Sequence, residues 1–173
     1  VGISNLFRIS PGITNTTSLY GAYARINNPA IRNYEKRTEP SFGGRTFFSL
    51  EKRLEKGVAH IVAGAEMQQG YFNTQVFKNR NGSPDTLQTD DDVDNRAFSL
   101  FIQGDAAIHN SWECIAGVSL TQTDVKVTRL NNYPIVTKTR SYRNELAPKF
   151  SLLKKINNNF HWLASISRGF SPP

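Results

Sequence analysis

Few side chains in this sequence stand at a spacing that supports covalent or metal chemistry. The run Asp90-Asp91-Asp92-Val93-Asp94 gathers oxygen donors of the kind calcium prefers. It lacks the Gly and the terminal Glu of an EF-hand loop, so it is predicted to be a solvated acidic loop. His60, His109 and His161 are isolated along the chain, and none has a partner at metal-ligand spacing. Cys114 is the single cysteine, which excludes an internal disulfide and a Cys-based zinc site. The serines form no G-x-S-x-G elbow, and Asn81-Gly82-Ser83, with Pro84 following, matches a glycosylation signal only formally. No catalytic set, no metal site and no cofactor is expected, and the chain is not read as an enzyme.

What remains is recognition chemistry. Arg32, Tyr34, Lys36, Arg37 and Arg45 combine cations with an aromatic surface, and so do Arg140, Tyr142 and Arg143. Guanidinium groups bind carboxylate, catecholate or phosphate oxygens through paired hydrogen bonds. These eight residues are the candidate ligand-binding set. The plainer alternative is that they meet anionic headgroups or water.

The elements that must hold them follow from composition and periodicity. The chain has 173 residues, 38% hydrophobic and 11% aromatic, with 21 basic and 14 acidic side chains and a net charge of +7. The positive excess favours anionic partners, but no dense Lys/Arg block is present and nucleic acid is not an expected partner. No apolar run reaches the ~18 residues of a membrane helix. A membrane β-barrel would lack such runs as well.

Period-two alternation dominates. From Trp112 to about Lys126, Trp112, Cys114, Ala116, Val118 and Leu120 share one face, while Glu113, Gly117, Ser119, Thr121 and Thr123 take the other. Ile115 and Val125 break the pattern. Phe98, Leu100, Ile102, Gly104, Ala106 and Ile108 alternate in the same way and lead into a turn at Asn110-Ser111. Thr46, Phe48, Leu50 and Leu54 precede a turn at Glu55-Lys56-Gly57, followed by Ala59, Ile61, Ala63, Ala65 and Met67. Leu146, Phe150, Leu152 and Ile156 precede Asn157-Asn158-Asn159, with Phe160, Trp162, Ala164 and Ile166 beyond. A strand near Thr16 to Ile26 and a stub at Leu6 to Ile9 bring the expected total to about eight.

Very short turns alternate with long polar connections, placed roughly at Asn28 to Gly44, Phe72 to Arg96 and Val127 to Tyr142. Several strands span 11 to 15 residues, against the ~5–6 usual in globular sheets. A tilted strand crossing a bilayer needs about 9–11. Charges on the greasy faces avoid strand centres: Lys52 and Lys154 lie near short turns, and Asp124, Lys126 and Arg168 lie toward the long connections. Trp112, Phe160 and Trp162 flank the short turns, with Tyr71 and Phe170 at the opposite ends, as two aromatic girdles would. The predicted fold class is all-β, an antiparallel up-and-down transmembrane β-barrel segment.

The stretch NELAPKFSLLKKINNNFHWLASISRGFSPP resembles a segment of the TonB-dependent outer-membrane receptor barrel, matching from Leu146-Ala147-Pro148 to Ser167-Arg168-Gly169-Phe170 and Pro172-Pro173. FSLFIQGDAAIHNSWECIAGVSL is similar to the same family at Phe101, Gln103, Trp112 and Gly117, and KGVAHIVAGAEMQQG at His60, Gly64 and Glu66. The resemblance spans the chain from about Arg45 onward. It implies a receptor in the bacterial outer membrane that imports a nutrient chelate, above all a ferric siderophore, with energy delivered through TonB. Outer-membrane lipid, the chelate and TonB are the implied partners. A full family barrel has about 22 strands, so residues 1–173 are expected to form one partial barrel domain without the plug or the TonB-contacting box. The beginning at Val1 and the end at Ser171-Pro172-Pro173 are read as cuts. The alternatives are another outer-membrane barrel (porin, adhesin or barrel enzyme) and a soluble all-β carbohydrate-binding module. A plug domain, a catalytic motif or a lone secretion signal in the full-length gene would separate the three.

Overall fold

The computed structural model describes residues 1–54, 57–108, 111–157 and 159–169. Among the described residues eight strands follow one another: β1 Gly2–Ser10, β2 Ile13–Pro29, β3 Asn33–Leu54, β4 Gly57–Arg80, β5 Ser83–Ile108, β6 Trp112–Arg129, β7 Val136–Lys155 and β8 His161–Ser167. Each pairs antiparallel with its neighbour in sequence, giving one sheet in the order β1 to β8. The described strands leave β1 and β8 as its two edges. Among the described residues there is no helix.

Register turns the alternation into two surfaces. Phe48, Ala63, Ile102, Val118 and Pro148 are directly opposite one another across β3 to β7. The next row on that face runs Leu50, Ile61, Gly104, Ala116, Phe150 and Ile166. The intervening row, Ser49, Val62, Gln103, Gly117, Lys149 and Ser167, lies on the other face and is mostly polar. Among the described residues no hydrophobic side chain is buried. Ile166 is 73% exposed and Phe48 53% exposed. A water-soluble domain of this size would enclose a core; this sheet leaves the apolar groups of one face exposed.

The greasy stretch does not run straight along the rows. Its upper end lies at Pro40 and Phe42 on β3, Phe98 on β5, Leu120 on β6, Leu146 on β7 and Ile166 on β8. Phe42 is opposite Gln69, whose own row continues to Arg96 and Asp124. At the lower end Lys52 on β3 shares a row with Ala59, Ala106, Cys114 and Leu152, which are still apolar. A band that slides along successive strands is what tilted barrel strands require, because the ladder direction is then inclined to the membrane plane.

The expected loops are strand. Asn28 to Gly44, Phe72 to Arg96 and Val127 to Tyr142 continue the hairpins, leaving only residues 30–32, 81–82 and 130–135 between these strands. Alternation fails to reveal these extensions because water bathes both of their faces. Cross-strand side-chain bonds hold them instead. Asn73 Nδ2 donates to Asp90 and Asp92, both at 2.9 Å, and Lys36 Nζ lies 5.2 Å from the centre of the Phe77 ring. The acidic run 90–94, expected in a loop, therefore belongs to β5. Asn81 and Gly82 take φ of 53° and 85°, the pair of left-handed residues that a tight hairpin with an Asn-Gly turn needs. The end asymmetry survives in another form, with long paired extensions at one end and short connections at the other. Of the expected short turns, Glu55, Lys56, His109, Asn110 and Asn158 lie outside the described residues, as do Phe170, Pro172 and Pro173 of the C-terminal signature.

Opposite faces should answer a charge differently. Val118→Arg is expected to destabilise the lipid-embedded protein by about 2–4 kcal/mol, the cost of a cation near the bilayer midplane. Ser119→Arg, one residue on, should cost less than about 1 kcal/mol. Guanidinium unfolding in lipid vesicles, followed by tryptophan fluorescence, measures both.

Candidate functional site on the inner face

Opposite the greasy surface lies a face with charges at mid-strand. Arg45 is on it, in a row with Ser18, Glu66, Ser99, Thr121 and Glu145. The row below contains Phe47, Gly64 and Phe101. A Cβ on Gly64 would stand 2.5 Å from that of Phe47, so only glycine leaves room for the aromatic row. The Arg45 guanidinium lies over both rings, 4.6 Å from the centre of Phe101 and 5.4 Å from that of Phe47. Stacking uses the face of the guanidinium and leaves its N–H edge open. The neighbouring carboxylate, Glu66, accepts from Tyr20 Oη at 2.9 Å and Gln68 Nε2 at 2.7 Å. No carboxylate among the described residues lies within ion-pair distance of Arg45.

Nearer the short turns, His60 sits between two acids, with Nδ1 3.0 Å from Asp105 and Nε2 3.6 Å from Glu51. Sequence spacing shows His60 as isolated. The register brings the trio together, since Leu54 opposite Gly57 puts Glu51 opposite His60. Counting back from the short turn would have found that half of it. Among the described residues no group of three metal-ligating side chains is placed to hold an ion.

At the other end, beyond the greasy band, Asp91 and Arg129 form a paired contact, Nε to Oδ1 at 2.8 Å and Nη2 to Oδ2 at 2.9 Å. The Arg129 guanidinium holds the Asp91 carboxyl below its ordinary range, against a smaller upward push from desolvation. Arg37 lies between Glu35 at 3.3 Å and Glu39 at 3.5 Å on its own strand. Arg140 stacks 5.2 Å from the centre of the Tyr142 ring.

The eight candidate residues thus divide by face. Arg37, Arg45, Arg140 and Tyr142 are on the inner face, by their register with Thr74, Glu66, Val125 and Thr123. Tyr34 and Lys36, in register with Phe77 and Gln75, are on the outer face. Arg32 lies in the connection before β3, and Arg143 is exposed at the register shift of β7. Arg140 and Tyr142 are in contact. Arg45 on β3 and Arg140 on β7 are four strands apart, roughly 19 Å across the sheet at the usual strand spacing, and are offset by a further four residues along the strands.

A long-stranded open sheet, greasy outside and charged inside, narrows the comparison to membrane barrels. The family model described as TonB dependent receptor-like, beta-barrel, matches residues 4–173. The chain belongs to that family. The fold of this TonB-dependent receptor barrel segment is similar to the crystal structure of the ferric citrate transporter FecA in the unliganded form. The TM-score is 0.76 at 11% identity, over 95% of this chain and 26% of that one. It is also similar to the siderophore receptor PiuA from Acinetobacter baumannii, with a TM-score of 0.74 at 10% identity over 90% of this chain and 30% of that one. At such identities the likeness is one of fold, and the segment spans under a third of either protein. No curated protein matches the sequence.

The Asp91–Arg129 pair should make the β5–β6 extension sensitive to acid. A carboxyl held low in the folded state stabilises above its unfolded value, about 3.9, and that contribution is lost as pH falls through the folded value. Amide exchange near Asp91 and Arg129 should accelerate on acidification through that window after correction for intrinsic rates. Asp91→Asn should show the faster exchange already at neutral pH and no further acid step at this pair.

Proposed function

We propose that these strands form part of the wall of an outer-membrane receptor that imports a nutrient chelate, of the ferric siderophore kind. The observation that supports this most is the two-faced sheet inside a TonB-dependent receptor family match: apolar rows toward hydrocarbon, and a charged inner face able to border an aqueous passage. The bacterial outer membrane is the proposed location. Outer-membrane lipid is the partner of the greasy face. TonB would engage parts of the full receptor beyond residues 1–173, and the plug and TonB-contacting box expected of such a receptor belong there too.

In this reading the chelate binds from the side of the long hairpins and meets the inner face. Arg140 and Tyr142 offer a cation braced on an aromatic ring, and Arg37 and Arg45 lie on the same face. Guanidinium edges suit the carboxylate or catecholate oxygens of an iron chelate. Tyr34 and Lys36 face outward and have no part in it, and Arg32 and Arg143 are left to the rim. Import would follow from movement of the plug pulled by TonB, with no covalent step.

The test is uptake of radiolabelled ferric chelates by iron-starved cells expressing the full-length receptor. Uptake should need both the receptor and TonB. Arg140→Ala combined with Tyr142→Ala should weaken chelate binding by about tenfold, or ~1.4 kcal/mol, while Lys36→Ala leaves it unchanged. Uptake that persists without TonB would contradict the proposal.

A further inference from the structure

One groove lies on the wrong face to serve transport. It has a volume of about 370 Å³ and is lined by Tyr71, Asn73, Asp92, Asp94, Lys126 and Thr128, with Thr38 and Pro40 at its side. Register puts these residues on the outward face. Pro40 is in register with Tyr23, Tyr71 with Asp94, and Asp94 with Lys126, while Asn73, Asp92 and Thr128 form the next row. The groove therefore opens away from the inner face that carries Arg45 and Arg140.

Its height is set by the greasy band. Phe42 and Tyr71, with ring centres 6.4 Å apart, stand where the apolar stretch of β3 and β4 ends. On β5, Asp94 lies four residues beyond Phe98, roughly 10 Å higher at a barrel strand's tilt. The groove begins where hydrocarbon gives way to headgroups.

Its chemistry is mixed and oriented. Gln69 donates to Asp94, and Asn73 Nδ2 donates to Asp92 Oδ1 at 2.9 Å, which fixes the two carboxylates while the second oxygen of each has no hydrogen bond among the described residues. Tyr71 is 48% exposed and presents a ring. Lys126 is exposed and in no ion pair among the described residues. Carboxylates accept from hydroxyl groups, the ammonium donates to hydroxyl or ring oxygens, and an aromatic ring packs on the C–H face of a pyranose. Two carboxylates against one lysine disfavour a bare phosphate and suit a hydroxylated, uncharged ring. At about 370 Å³ the groove is at the small end of ligand sites, enough for one or two sugar rings.

We propose that this outward groove binds a neutral saccharide ring, presented by a glycolipid of the surrounding leaflet. The site anchors the receptor wall to its lipid and is independent of the transported chelate. Lipid attachment supplies the sugar at the groove's own height, which a free oligosaccharide lacks.

Native mass spectrometry of the full-length protein in detergent tests this. Three probes are titrated: a glucosyl diacylglycerol, phosphatidylglycerol, and free maltotriose. The glycolipid should bind at least tenfold more tightly than phosphatidylglycerol, with maltotriose weaker than the glycolipid. Tyr71→Ala and Asp92→Asn should each cut glycolipid retention about fivefold, with heat-modifiable gel mobility confirming that each variant folds. Leu100→Ala, on the same face within the greasy band, should leave it unchanged. Equal binding of glycolipid and phosphatidylglycerol, or glycolipid binding unaffected by both groove variants in folded protein, would overturn the proposal. Tighter binding of maltotriose than of the glycolipid would assign the groove to a soluble sugar and overturn the lipid source. None of these readouts depends on chelate uptake.

Discussion

Backbone amides and carbonyls cannot be left unpaired in hydrocarbon, where each costs several kcal/mol. That constraint decides how this chain is built. Once every strand is committed to hydrogen bonding sideways, only alternate side chains are available to meet lipid, and the others must meet whatever the sheet encloses. The two surfaces then follow from the period of two. Rows such as Phe48, Ala63, Ile102 and Val118 face one way, and Ser49, Val62, Gln103 and Gly117 face the other.

The same constraint makes the open edges consequential. β1 carries Ile3 and Phe7 exposed, and β8 carries Trp162, Leu163 and Ile166 exposed. An edge of this kind is a template for further pairing. In a membrane, neighbouring strands must complete its hydrogen bonds. The inner face needs no such completion to be polar, because water can satisfy Arg45, Glu51 and Asp105 there.

How far the sequence revealed this depends on where a residue meets water. Between Trp112 and Leu120, or Ala59 and Met67, one face is apolar, so alternation betrays both strand and facing. Above the band both faces are wet, the contrast vanishes, and the runs around Gln75 and Asp90 read as loop although they pair strand to strand. Side-chain clusters were hidden for another reason. Glu51, His60 and Asp105 are joined by register across three strands, and register is written in turn lengths rather than in local spacing. The ligand candidates suffered from both effects. Arg140 and Tyr142 stand two apart and share a face, whereas Lys36 and Arg37 are adjacent and are separated by the sheet itself.

The central claim is that alternate side chains face hydrocarbon and water, and spin labels on successive residues test it most directly. Single cysteines at positions 116 to 121, in a Cys114→Ser background reconstituted in lipid, would each carry a nitroxide. Power saturation with oxygen, which concentrates in lipid, and with a water-soluble nickel complex reports the surroundings. Labels at Ala116, Val118 and Leu120 should respond to oxygen, and those at Gly117, Ser119 and Thr121 to nickel, out of phase along the strand. A uniform response at all six positions, or shielding of 116, 118 and 120 from both reagents, would contradict it.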